Sequence, residues 1–110
     1  MTVQQRDVGR RTVLTVAGEV DLATSPDLRE AIAGAIDSGA HELWVDLCGT
    51  SFMDSSGLHV LIDANERAKA LRRRLSIVCP PGNVRRIFDL TGLAVSLPVY
   101  DDVGSAQRAA

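Results

Sequence analysis

Short apolar runs alternate along this chain with segments whose apolar residues recur at helical spacing, and that alternation restricts the fold more than any other feature. Thr12 to Ala17 is almost unbroken in β-branched and apolar residues, as expected of a buried strand. Gly18-Glu19-Val20-Asp21 closes it. Ser25 then offers an N-cap and Pro26 suits the first helical position. Leu28, Ile32, Ala35 and Ile36 follow at helical spacing, and Gly39 ends the run. Glu42 to Leu47 is the next strand, with Leu43, Val45 and Leu47 on one face and Trp44 on the other; residues 48 to 53 read as an irregular connection.

A second helix starts at Asp54 or Ser55 and buries Leu58, Leu61, Ile62, Ala68 and Leu71. Arg72-Arg73-Arg74 stand at its C-terminal end, where solvated cations complement the helix dipole. Leu75 to Cys79 is a further strand, stopped by Pro80-Pro81. Asn83 caps a third helix with Val84, Ile87, Phe88 and Leu90 inward and Gly92 at its end. Thr2 to Arg6 reads as a short edge strand before a turn at Asp7-Val8-Gly9. Pro98 limits Leu97 to Tyr100 to a short or edge strand, and Gly104 weakens a short terminal helix. The predicted architecture is α/β, helices packed on a small sheet, as a single domain over residues 1–110.

Composition narrows the function. Apolar residues make up 45% of the chain, too many for disorder, and a net charge of −2 leaves no electrostatic footprint for direct nucleic-acid binding. No window approaches the roughly 18 apolar residues of a membrane span, and the first six residues, Met1 to Arg6, contain no apolar signal region. A cytoplasmic protein that does not engage membranes is expected. The two cysteines, Cys48 and Cys79, lack metal-ligand spacing and read as buried thiols. A redox pair is the alternative, since both fall at the ends of predicted strands. No metal or cofactor is expected.

The chemistry concentrates at Met53-Asp54-Ser55-Ser56-Gly57-Leu58. Asp-Ser-Ser is ordinary N-cap chemistry, yet Asp54 or Ser55 can cap while Ser56 faces solvent. A nucleophilic serine is not supported. The Gly-x-Ser-x-Gly elbow is missing, the chain has only His41 and His59 as imidazole bases, and His59 lies three residues beyond Ser56 with no third group in evidence. Nor is there a Gly-rich phosphate loop with its lysine. A phosphoacceptor fits better. A phosphoryl group adds about −1.5 to −2 charge, which a helix N-terminus tolerates, whereas a partner packed there would have to desolvate a dianion beside Asp54 and Asp21.

Three ordered motifs carry a family resemblance. They are Gly18-Glu19-Val20-Asp21; Val45-Asp46-Leu47 through Phe52-Met53-Asp54-Ser55-Ser56-Gly57-Leu58; and Leu75-Ser76-Ile77-Val78 followed by Val84-Arg85-Arg86-Ile87 and Leu90-Thr91-Gly92-Leu93. With these, the chain closely resembles the STAS-domain anti-sigma factor antagonists of bacteria. The resemblance implies the STAS fold, a small mixed β-sheet with helices packed on it. It implies partner switching and no enzyme activity. The unmodified antagonist binds an anti-sigma factor that is also an ATP-dependent serine kinase, and a sigma factor is released. Phosphorylation of the second serine, here Ser56, ends the complex, and a metal-dependent serine phosphatase resets it.

The partner-binding surface implied is Asp21, Asp54, Ser55, Ser56, Gly57 and His59, with Gly57 giving a small profile for close approach. ATP belongs to the kinase, so no cofactor is implied for this chain. Cys48 stands where the family often has serine, and His59 where it often has glycine; a protonated His59 could pair with phosphoserine, or it could be an exposed residue without a role. STAS-like domains also act as scaffolds in stress-sensing assemblies and as accessory subunits of transporters, the alternative function.

Overall fold

A computed structural model describes residues 1–92 and 97–109, with side chains through residue 107. The order is β1 (Thr2–Val8), β2 (Arg11–Val20), α1 (Ser25–Asp37), β3 (Glu42–Met53), α2 (Ser55–Ala70), β4 (Arg74–Val78), α3 (Asn83–Thr91), β5 (Val99–Tyr100) and α4 (Val103–Ala109). The five strands form one mixed sheet in sequence order, with β1 antiparallel to β2 and every other pair parallel. Parallel strands laid down in sequence order, joined by crossovers of one hand, keep their connecting helices on one face. Accordingly, Leu28, Ile32 and Ile36 of α1, Leu58 and Leu61 of α2, and Val84 and Phe88 of α3 share one core with Leu14, Val45 and Ile77 of the sheet. A smaller cluster on the other face joins Val13, Trp44 and Val78 to Ala106 of α4. Trp44, on the opposite strand face from Leu43, Val45 and Leu47, is buried in this cluster.

The strands at the centre run longer than their apolar patterns suggest. β2 continues through Gly18 to Val20, and β3 continues through the expected connection to Met53. The two pair from Arg11↔Glu42 to Val20↔Met53, with irregularities between Thr15 and Ala17 and between Gly18 and Glu19. Gly49-Thr50-Ser51 breaks the apolar alternation, but the ladder is kept by other means: the Thr50 hydroxyl donates to the Val16 carbonyl at 2.9 Å from a buried position. At the opposite edge, β1 reaches Val8 and pairs it with Arg11, so the turn is Gly9-Arg10, not Asp7-Val8-Gly9. Pro98 precedes the two-residue edge strand β5, and its carbonyl accepts from Ile77 N–H at 2.9 Å.

Helix ends also differ from expectation. Ser25 is a buried first residue of α1, not its cap; Thr24 holds that position. Asn83 follows Gly82, the N-cap of α3, while Gly92 ends α3 in the left-handed conformation as expected. Leu71 lies at the C-cap of α2 and is exposed, because the chain turns away there. Leu90 is 79% exposed, since it sits about 200° around the helix from buried Phe88. Leu93, the last residue of the third motif, lies outside the described residues.

Two helix C-termini close with the same pair of backbone bonds. Gly39 N–H reaches Ile36 O and Ala40 N–H reaches Ala35 O at the end of α1; Arg72 N–H reaches Lys69 O and Arg73 N–H reaches Ala68 O at the end of α2. The left-handed position is Gly39 (φ 100°) in the first and Arg72 (φ 56°) in the second. Arg73 is not a solvated helix end: its Nη1 donates to Ile36 O at 3.0 Å and Ala40 O at 2.8 Å, tying the end of α2 to the end of α1.

Candidate functional site

The paired ends of β2 and β3 build the site. Val20 and Met53 are the last partners of the ladder, so Asp21 and Asp54 leave the sheet side by side. Asp54 N–H donates to Val20 O at 3.1 Å, which carries the pairing one residue further. Its side chain then turns to the helix. Asp54 Oδ1 accepts from Ser56 N–H at 2.8 Å, and Asp54 is the N-cap of α2. Of the two capping options, the carboxylate is used. Ser55 is therefore the first helical residue and is exposed; Ser56 is the second and is half-buried. Neither serine hydroxyl has a hydrogen-bond partner among the described residues.

Asp21 has a structural duty of its own. Its Oδ1 accepts from Ala23 N–H and Thr24 N–H, both at 3.0 Å, and its carbonyl accepts from Ser25 N–H at 2.8 Å. The carboxylate thus shapes the turn that starts α1 while remaining partly exposed beside Asp54. Glu19, Asp21 and Asp54 place three acidic side chains at this end of the sheet, and none joins an ion pair among the described residues.

Gly57 is a correction. It is buried, and a Cβ at this position would lie 2.7 Å from Val20 Cγ1 and 2.9 Å from Met53 Cγ. The missing side chain lets α2 sit down on the ends of β2 and β3. Gly57 faces the core and not a partner. His59 is exposed and one turn along α2 from the serines. No Ser–His hydrogen bond forms among the described residues.

Sequence reasoning missed two residues here. Leu22 is 77% and Phe52 48% exposed, although both are large and apolar. Phe52 pairs with Glu19 at the end of the ladder and borders a groove of about 310 Å³ against Asn83, Arg86 and Ile87 of α3. Leu22 follows Asp21 directly. The available signal was an apolar side chain at positions assigned to connections, where no core was at hand to take it.

The cysteines are separate from this site. Cys48 is exposed, Cys79 is buried in the main core, and both are free. Desolvation pushes Cys79 up to about 11, slightly offset by the Arg85 charge. Partial desolvation of its sulfur, with the Asp46 carboxylate adding, pushes Cys48 up to about 11 as well. At neutral pH neither is an appreciable thiolate, which argues against redox chemistry at the pair. Among the described residues no cluster of His, Cys, Asp and Glu fits a metal ion, and no helix is long and apolar enough to cross a membrane.

The STAS domain family profile matches residues 1–106 of the chain. A curated anti-sigma-B factor antagonist of Staphylococcus epidermidis is 33% identical over 78 residues, spanning 71% of this chain and 72% of that protein. The chain belongs to the STAS-domain anti-sigma factor antagonist family. Its solved relatives agree in shape. An anti-sigma factor antagonist from Mycobacterium paratuberculosis superposes with a TM-score of 0.90 at 30% identity, covering 98% of this chain and 92% of that one. The Bacillus cell fate determinant SpoIIAA in its phosphorylated form superposes with a TM-score of 0.72 at 25% identity, covering 99% of this chain and all (100%) of that one. This STAS domain therefore shares its fold with a relative known in a phosphorylated state.

Proposed function

We propose that this protein is an anti-sigma factor antagonist whose single STAS domain, residues 1–110, works as a phosphorylation-controlled binding module in the cytoplasm and not as an enzyme. In its unmodified form it binds an anti-sigma factor that is also an ATP-dependent serine kinase, and the sigma factor is freed. The kinase phosphorylates Ser56, the complex dissolves, and a serine phosphatase restores the binding form. The contact surface is Asp21, Asp54, Ser55, Ser56 and His59, extended by Leu22 and Phe52.

The observation that carries this reading is the delivery, at the start of α2, of two hydroxyls that have no hydrogen-bond partner among the described residues, between exposed apolar side chains and three carboxylates. Asp54 caps the helix and Gly57 packs on Val20 and Met53, so the serines sit on a fixed surface. An apolar partner surface fits Leu22 and Phe52 while Ser56 is neutral. A phosphate beside Asp54 and Asp21 would turn that contact into a concentrated anion that the partner must desolvate.

The direct test of the acceptor is incubation with candidate serine kinases from the same genome and ATP, with the phosphate localised by mass spectrometry. Phosphate on Ser56, lost in Ser56→Ala, is expected. Phosphate solely on another residue, including the more exposed Ser55, overturns the assignment.

A further inference from the structure

Two adjacent arginines of the third motif have opposite fates. Arg85 is used inside the domain: its Nη1 donates to Cys79 O at 2.9 Å and to Asp101 Oδ1 at 2.7 Å, and its Nε lies 3.8 Å from Asp89. Arg86 is exposed, and its guanidinium makes no hydrogen bond or ion pair among the described residues. It lines the groove of about 310 Å³ beside Phe52, together with Ser51, Met53, Asn83 and Ile87.

Helix geometry extends the groove into a stripe. Asn83, Arg86, Ile87 and Leu90 stand at i, i+3, i+4 and i+7, so they share one side of α3. Ile87 packs against the main core and anchors the stripe, whereas Leu90 and Phe52 are large apolar side chains left in solvent. No acidic side chain lines the groove among the described residues. The carboxylates stand at its other border: Glu19 pairs with Phe52 in the ladder, and Asp54 follows Met53 directly. This surface therefore has acids at its serine end, the Arg86 cation at its α3 end and apolar side chains between them.

Given the anti-sigma factor binding proposed above, on which this step rests, we propose that the partner fills this groove with an apolar side chain flanked by a carboxylate. Burial against Phe52, Ile87 and Leu90 supplies the attraction, and the Arg86 guanidinium offers a fork for the carboxylate. Charge fixes the orientation. A carboxylate of the partner is repelled by Glu19, Asp21 and Asp54 and attracted by Arg86, so the partner docks one way round across Ser56. Arg86 thus selects the partner, and Ser56 switches it.

The test is a calorimetric titration of the serine kinase that phosphorylates this protein with the parent, Arg86→Glu, Arg86→Lys and Arg10→Glu proteins. Arg10→Glu makes the same charge change in the turn between β1 and β2, at the far end of β2 from Val20. Arg86→Glu should bind about tenfold more weakly, by a margin that shrinks at high salt, while Arg86→Lys and Arg10→Glu stay near the parent. All should melt at the parent temperature. Parent-like affinity of Arg86→Glu, or an equal loss in Arg10→Glu, overturns the groove contact and leaves the Ser56 switch standing. A loss in Arg86→Glu alone, with no effect of phosphate on Ser56, supports the groove and removes the switch. Sedimentation of the protein by itself tests the other occupant: a dimer that Arg86→Glu dissolves would place a second copy in the groove and overturn the proposal.

Discussion

Gly57 gives the site its shape, and adding one methyl group there tests that role. In Gly57→Ala the new Cβ would stand 2.7 Å from Val20 Cγ1 and 2.9 Å from Met53 Cγ. Ordinary carbon contacts lie at about 3.5–4.0 Å, so the overlap is close to 1 Å on two sides. Met53 is flexible enough to yield. Val20 is not: it is fully buried, its χ1 is stiff, and its backbone is held by the ladder to Met53. Overpacking of this kind costs about 1–3 kcal/mol, while alanine in place of helical glycine returns up to about 1 kcal/mol.

The net expectation is a loss of about 1–2 kcal/mol, or a fall in melting temperature of roughly 5–15 °C for a domain of this size. Urea denaturation of the two proteins measures it. Pairing the change with Val20→Ala should make the double variant less unstable than the sum of the single losses, because the two side chains compete for one space. A neutral or stabilised Gly57→Ala protein, as expected at an open helix position, refutes the packing argument.

Two other predictions rest on local geometry. Arg72→Gly should stabilise the domain by about 0.5 kcal/mol in the same assay, because relief of a left-handed side chain, about 1–2 kcal/mol, exceeds the added freedom of the unfolded chain; a less stable variant would show that Arg72 is held by favourable contacts. Both thiols ionise near 11 in the fold against 9.0 for the free group, so the native state holds these protons longer than the unfolded state. Their contribution to stability is complete below pH 9.0 and is lost as pH rises to about 11. Alkylation by iodoacetamide should accordingly be slow at pH 7.5 even at exposed Cys48, and fast labelling there contradicts the shift.

Much of this was legible in the residues because it is local. The α/β alternation follows from apolar spacing, and Asp-Ser-Ser before a helical stripe gives a cap whose identity needed only geometry to resolve. The features that escaped are long-range. Residues 48 to 53 look irregular because Gly49-Thr50-Ser51 is polar, and only the pairing with β2 and the Thr50–Val16 bond make them a strand. Gly57 reads as a small exposed residue until Val20, far away in sequence, closes over it. Arg73 belongs to a basic run, yet its role depends on the carbonyls of Ile36 and Ala40. Leu22 and Phe52 carry no periodic signal, so their exposure beside the serines emerges only from the folded surface.

The central claim is that charge on Ser56 ends partner binding, and calorimetric titration of the partner kinase with unmodified and Ser56-phosphorylated protein tests it most directly. Desolvating an uncompensated dianion beside Asp54 should weaken the complex on the order of a thousandfold, equivalent to about 4 kcal/mol. Equal affinities for the two forms would contradict the account.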